Sequence, residues 1–387
     1  MMVALAAALL AACGGGGSGS ATGQGTLRVA LTDAPSCGYD HVWITIEKVR
    51  VHRSASASDT DAGWSELTLS PARRVDLLEL TNGVLEELGT VPLEAGQYSQ
   101  VRLVLASNSG SGASATANAV QPTGGSVIAL STPSAAQSGL KLQAHFEVAA
   151  GQLSDLVLDF DACKSVVRAG NSGNYNLKPV VAVVPRTVTA IQGFVTTTLS
   201  LGSTTVAAQQ NGATVRSTAP DSSGKFSIPF LATGTYTIVV ASDGRATAVV
   251  TSVPAGTGTT VINSTATAIA PPVSGMADVT GTVSVTTGTG TFAVTDATLR
   301  ALQSVSGTGI EVASQPVDGV LGTYRFHLPT GAPVKATYAA GATLTFTADG
   351  TTAGKYTIEE QAPGRATQTK PADISGGNAT VNFTYGP

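Results

Sequence analysis

Residues 221–238 read DSSGKFSIPFLATGTYTI. In Lys225-Phe226-Ser227-Ile228, and again in Thr235-Tyr236-Thr237-Ile238, large apolar side chains alternate with small or polar ones. That is the period of a strand with one face in a core. Asp221-Ser222-Ser223-Gly224 and Thr233-Gly234 are turn sequences around these runs, and Asp243-Gly244-Arg245 closes the second. Two short strands separated by a glycine turn predict β structure.

The pattern returns downstream. Gly234–Ile262 aligns without gaps on Gly354–Asn382, with 11 identities in 29 positions. Gly234, Tyr236, Ile238, Gly244, Arg245 and Thr247 are among the residues kept, at Gly354, Tyr356, Ile358, Gly364, Arg365 and Thr367. A duplicated β fold must keep its turn glycines and inward strand residues. A second unit at 187–269 and a third at 274–387 follow, separated by the stiff Ala270-Pro271-Pro272. The third carries a longer middle, Asp296 to Gly350, in which Phe326, Leu328 and Pro329 echo Phe226, Ile228 and Pro229.

Upstream, residues 26–186 form a first unit. Leu27, Val29 and Leu31 alternate, as do Val42, Ile44 and Ile46, and the runs from Tyr98, Leu140 and Leu156 do the same. RVDLLELTNGVLEELG (74–89) spaces leucines for a helix, but Asn82-Gly83 interrupts it, which predicts one short helix or two turns. Residues 106–126 read as a long surface loop. The fold class expected is all-β: tandem β-sandwiches of Ig-like or transthyretin-like type, with at most one short helix in the first domain.

Composition agrees. Charged residues are 12% of the 387, against about 25% in a typical soluble chain. With 42% hydrophobic residues, cores can form and wholesale disorder is excluded. A net charge of −4 without a basic run argues against nucleic-acid binding. No apolar run reaches the roughly 18–20 residues of a membrane-spanning helix.

Val3 to Ala12 is short and apolar, like a signal-peptide core, and runs into Leu10-Ala11-Ala12-Cys13. This resembles a bacterial lipobox, although no Lys or Arg precedes the core. The resemblance implies cleavage after residue 12 (signal peptide 1–12), lipidation of Cys13 and a membrane partner reached through the lipid. Gly14, where Asp would favour inner-membrane retention, implies a cell-envelope location at the outer membrane. Residues 13–25 form a glycine-rich tether. The two remaining cysteines, Cys37 and Cys163, suggest one disulfide in an exported chain. Separate thiols or a metal pair are the alternatives, and no CxxC supports the latter.

Two further resemblances concern the domains. The GKFSI…TGTYTI…GR run resembles carboxypeptidase regulatory-like (transthyretin-type) modules, which implies an accessory sandwich without catalytic residues. Leu31-Thr32-Asp33-Ala34-Pro35, Val42-Trp43-Ile44, Val75-Asp76-Leu77, Gly96-Gln97-Tyr98 and Leu158-Asp159-Phe160-Asp161-Ala162 resemble a family of unknown function found in bacterial lipoproteins.

Catalytic motifs are missing: the chain has no GxSxG, HExxH, P-loop or EF-hand loop. One acidic constellation stands out. Alternation in Asp155–Cys163 places Asp159, Asp161 and Cys163 opposite Leu158 and Phe160. A Cys37–Cys163 bond would bring Asp33 close, so Asp33, Asp159 and Asp161 are a candidate calcium site. The competing reading has these carboxylates facing water or capping turns. Trp43 and Trp64 are read as core or sheet-surface residues, His145 and His327 as structural, and Asp243-Gly244-Arg245 as a hairpin turn. No obligatory cofactor is implied. The expected role is a non-enzymatic binding, adhesion or structural one, with an unidentified protein or glycan partner. The alternative is an envelope protein that captures a small molecule, glycan or calcium through its first domain.

Overall fold

The computed structural model describes residues 23–33, 38–132 and 138–386. Cys13, the signal segment, most of the tether and Cys37 lie outside the described residues. The chain is almost entirely β, arranged as three two-sheet sandwiches. Among the described residues, no helix is long and apolar enough to cross a membrane.

In the first sandwich a four-stranded sheet runs in the order Val181–Pro185, Leu153–Phe160, Gln24–Asp33, Glu86–Glu94. Its central pair is parallel, with Leu31 opposite Leu158 and Asp33 opposite Phe160. The facing eight-stranded sheet is built around Tyr39–His52 and Gly96–Leu105. Leu27, Leu31, Ile44, Leu103 and Phe160 fill the space between them. The segment 74–89 forms no α-helix: a single 3₁₀ turn at Leu77–Glu79, N-capped by Asp76, is followed by the strand Glu86–Glu94. Among the described residues the one short α-helix lies elsewhere, at Ala162–Ser165. The expected loop at 106–126 is partly ordered by asparagine. Buried Asn118 accepts from the Thr45 amide at 3.0 Å and donates to the Ala106 carbonyl at 2.6 Å. Residues Ala119–Pro122 then pair with Tyr39–His52.

The second and third sandwiches share a strand arrangement, Ala213–Thr218, Thr205–Gln210, Gly234–Ala241 and Ala248–Ala255 in one and Thr308–Pro316, Thr298–Val305, Lys355–Gln361 and Gln368–Asp373 in the other. Gly234–Ala241 and Lys355–Gln361 occupy corresponding central positions, each hydrogen-bonded to a following antiparallel strand. The Asp221 turn needs its glycine. Gly224 has φ +79°, and a Cβ there would lie 2.2 Å from the Val195 carbonyl oxygen. A Gly-x-Tyr sequence opens a strand in all three domains, at Tyr98, Tyr236 and Tyr356. Each ring is buried and each hydroxyl donates to a backbone carbonyl: Glu94 at 3.0 Å, Ala232 at 2.8 Å and Pro329 at 2.7 Å. A buried phenol needs such an acceptor.

The long middle of the third unit does not stay there. Val334–Thr337 leaves the third sandwich and pairs in parallel with Ala248–Ala255, extending the second domain's sheet, and Thr347–Ala348 pairs beyond it. Val334 joins the second core, and Tyr338, Leu344 and Phe346 pack against it. The second domain expected at 187–269 is therefore completed by residues from within 274–387. The repeat explains why. The covered edge reads Ala248-Val249-Val250-Thr251, whereas the matching edge of the third domain reads Gln368-Thr369-Lys370-Pro371. Lys and Pro blunt an open edge, and an apolar edge without them is a template for association. Val239 and Val249 also pack against Val305 and Ile310, so the two domains share a small apolar seam.

Replacing residues 334–348 with a Gly-Ser linker of equal length should expose this edge. The expected outcome is self-association in sedimentation velocity together with a lower melting temperature. A monomer with unchanged melting would refute the role assigned to the strand.

Candidate functional site

The acidic residues singled out in the sequence sit where the three domains meet, each beside a protein partner. Asp33 is buried and accepts from the Ala162 amide at 3.0 Å. Asp161 caps the short helix, accepting from the Lys164 amide at 3.0 Å, and its other oxygen lies 3.0 Å from Lys164 Nζ. Asp159 faces the second domain, where Arg216 Nη1 stands 3.1 Å from Oδ2. Protein cations and amides answer these carboxylates, and among the described residues no group of three or more His, Cys, Asp or Glu is placed to hold a metal ion. Cys163 lies within the helix Ala162–Ser165, one residue after the amide that Asp33 accepts from.

The Asp159–Arg216 pair is buried on both sides. Burial outweighs the guanidinium and pushes the Asp159 carboxyl up to about 6. Desolvation likewise lowers the pKa of Arg216. Arg216 lies on Ala213–Thr218, where it alternates inward with Thr218, and it also stacks over Phe230 at 5.5 Å.

Other polar groups weld the domains. Asn82, which interrupts the leucine pattern, adopts φ 58° and reaches into the second domain. Its amide donates to Thr218 Oγ1 at 2.8 Å, and its Oδ1 accepts from the Ser227 amide at 2.8 Å. Between the second and third domains, Gln209 pairs with the backbone of Glu311 as a strand would. It donates to the carbonyl at 2.6 Å and accepts from the amide at 3.0 Å. Arg300 binds Glu311 and Glu359, each at 2.6 Å, and donates to the Gly212 carbonyl at 2.7 Å. Between the first and third, the Asp318 carboxylate accepts from the Gly170 amide at 3.0 Å. Isolated charges on otherwise neutral strands, Arg216 and Arg300, are the only sequence signal for these seams. A cavity of about 760 Å³ opens between them, walled by all three domains.

The remaining candidates lie away from this junction. Trp43 is half-buried on the outer sheet surface, stacked on His41 and covered by Arg74 at 4.5 Å. Trp64 holds a surface loop: its indole N–H donates to the Ser58 carbonyl at 2.8 Å, with Arg50 at 4.6 Å from its ring. His145 is exposed on Leu140–Val148. His327 is also exposed, but its Nδ1 is hydrogen-bonded to Asp278 at 2.7 Å. Asp243-Gly244-Arg245 forms a turn, with Gly244 at φ 68°.

Residues 24–179 match a family described as a domain of unknown function, DUF4382. That span is most of the first sandwich. No curated protein matches the chain. Solved structures give distant likenesses. One is to the Bacillus anthracis TIE protein, with 14% identity over 94% of this chain and 51% of that one, at a TM-score of 0.19. Another is to a Streptococcal ancillary pilin, with 10% identity over 94% of this chain and 99% of that one, at 0.18. A third is to two B repeat units of the collagen binding protein of Staphylococcus aureus, with 11% identity over 94% and 100%, at 0.17. The chain spans about half the length of the TIE protein. At these TM-scores the likenesses carry no statement about role.

Asp159 makes the junction sensitive to pH. Its folded pKa, about 6, lies above the ordinary 3.8. Between these values the folded chain holds a proton that the unfolded chain releases, so stability from this group is full below pH 4 and falls as pH rises through 6. Melting curves across pH 4–7 should show that decline, and Asp159→Asn should flatten it. A slope unchanged by the substitution would assign the effect elsewhere.

Proposed function

We propose that this chain is a cell-envelope lipoprotein, held at the outer membrane through lipidated Cys13, with a binding, adhesion or structural role rather than a catalytic one. The observation that carries the reading is the interlocking of the domains. One strand passes from the third sandwich to the second, and buried polar seams fix the first against both. Such a body suits a fixed platform on a tether, because its domains resist the relative motion expected of a small polar interface. The Leu10–Cys13 sequence and the glycine run after it support the anchor. The second and third sandwiches fit the accessory role of carboxypeptidase regulatory-like modules. A Cys37–Cys163 disulfide belongs to the same reading. It would close the chain beside Asp33 and, in the chain-entropy account, contribute on the order of 4–5 kcal/mol.

A second reading, capture of a small ligand, is favoured by the cavity between the three domains.

Metabolic labelling with a lipid probe tests the anchor: the parent chain should take label and Cys13→Ser should not. Label retained by Cys13→Ser would overturn it. Thiol alkylation of unfolded, unreduced protein should leave Cys163 unmodified until reductant is added, and Cys163→Ser should lower the melting temperature. Immediate alkylation would refute the disulfide.

A further inference from the structure

Residues 178–186 read KPVVAVVPR, and the stretch Pro179–Pro185 within them is the same in either direction, PVVAVVP. These residues hold an open edge of the first sandwich. Val181–Pro185 is the last strand of the four-stranded sheet, and no strand among the described residues pairs with its outer side. Val180 is 45% exposed and Ala182 is exposed, while Val181 and Val183 pack against the core. From Val180 to Val184 the edge is aliphatic and carries no charge. An edge of that kind is a template for another strand.

The register fixes which backbone groups it offers. The Asp161 amide donates to the Val180 carbonyl, and the Arg186 amide to the Asp155 carbonyl, each at 2.9 Å. Between these bonds Ala182 lies opposite Asp159 and Val184 opposite Val157. In an antiparallel ladder, residues bonded to the neighbour alternate with residues whose amide and carbonyl point away from it. Val180, Ala182 and Val184 therefore bond inward, and the amides and carbonyls of Val181 and Val183 point out. Pro179 and Pro185 share the outward phase and have no N–H to offer. The edge is thus a short window closed by a proline at each end.

A second copy of the window fits it. Turned antiparallel about a two-fold axis at Ala182, Val181 meets the partner's Val183. Each of these amides then donates to the facing carbonyl, and every outward backbone group of Val181 and Val183 is paired. A shift of two residues either way would set one of those carbonyls against a proline. Valine faces valine along the pair, and β-branched cross-strand neighbours are stabilising. Lys178 would face the partner's Arg186, but both cations are already engaged. Lys178 Nζ donates to the Thr295 carbonyl at 2.9 Å, and Arg186 is held by Glu87 at 2.6 Å. A self-complementary contact of this kind closes at two chains, because it consumes the edge that formed it.

We propose that the chain forms a two-fold dimer by antiparallel pairing of residues 180–184, which joins the four-stranded sheets of two first sandwiches edge to edge. The inference draws on neither the lipid anchor nor the cavity.

Sedimentation velocity on the full chain over a concentration series tests it. One short strand a side is small beside the roughly 1,200–2,000 Å² of stable interfaces. The chain should therefore be a monomer at the dilute end and shift to a dimer at the concentrated end. Ala182→Lys sets like charges against each other across the axis from an exposed position. It should weaken the dimer tenfold or more and leave the melting temperature of dilute protein unchanged. Val183→Pro removes an outward amide and no bond within the sheet, and should weaken the dimer as much. Ala182→Cys should cross-link to a dimer on mild oxidation at least tenfold faster than Thr289→Cys, an exposed position on a hairpin of the third domain. A facing pair of that phase sets its Cα atoms about 4.5 Å apart, within reach of a disulfide. A monomer throughout the series would overturn the proposal and leave the prolines as edge protection alone. A dimer unmoved by both substitutions, or equal cross-linking of the two cysteines, would overturn it by placing the contact elsewhere.

Discussion

An edge strand carries a row of amides and carbonyls that must find partners, and in the second sandwich that requirement organises the molecule. The covered stretch of Ala248–Ala255, Ala248-Val249-Val250-Thr251, is apolar but for Thr251 and has none of the charge or proline that lets an edge stand in water. Residues Val334–Thr337 meet the need from the neighbouring domain. The cost falls on the third sandwich, which sends out a long excursion and takes it back before Lys355–Gln361. The third domain's own corresponding edge holds Lys370 and Pro371 and, among the described residues, accepts no strand. Two copies of one fold thus solve the same problem differently, and only one solution binds domains together.

Much of this was legible in advance and some was not. Alternation and turn glycines marked the strands, because those signals are local. The duplication was legible because Gly-x-Tyr and Gly-Arg recur at fixed offset, and the burial of Tyr236 and Tyr356 shows what the recurrence protects. The crossing of Val334–Thr337 was illegible. A parallel pairing between residues 86 positions apart leaves no periodic trace, and the segment alternates like any strand. Asn82-Gly83 was read as a break in a helix. It is a turn whose side chain docks on another domain, a role that depends on where Thr218 and Ser227 lie. The carboxylates of Asp33, Asp159 and Asp161 lie near one junction, and their partners, an amide, Arg216 and Lys164, come from positions that strand alternation cannot pair.

The sparse charge takes on meaning at the seams. With 12% charged residues, the chain still commits Asp159, Arg216, Arg300, Glu311, Glu359 and Asp318 to contacts at or beside domain boundaries. Buried ion pairs return little net stability, because desolvation consumes most of the Coulomb gain. What they supply is direction. An apolar patch tolerates sliding, whereas the Gln209 amide matches the Glu311 backbone in one register only. We read the seams as fixing the relative orientation of sandwiches whose apolar contacts, such as Val239 and Val249 against Val305 and Ile310, would leave it loose.

Fixed orientation is also what a space between domains requires. A cleft between hinged domains must be ordered by its ligand, and that ordering subtracts from affinity. Here the walls are set by the strand that crosses from the third domain and by the Asp159, Asn82 and Asp318 contacts that hold the first. The cavity is consequently formed before anything enters it. The contacts that fix the domains against one another also set the walls of this cavity, so the structural and capture readings draw on one set of residues rather than competing for them.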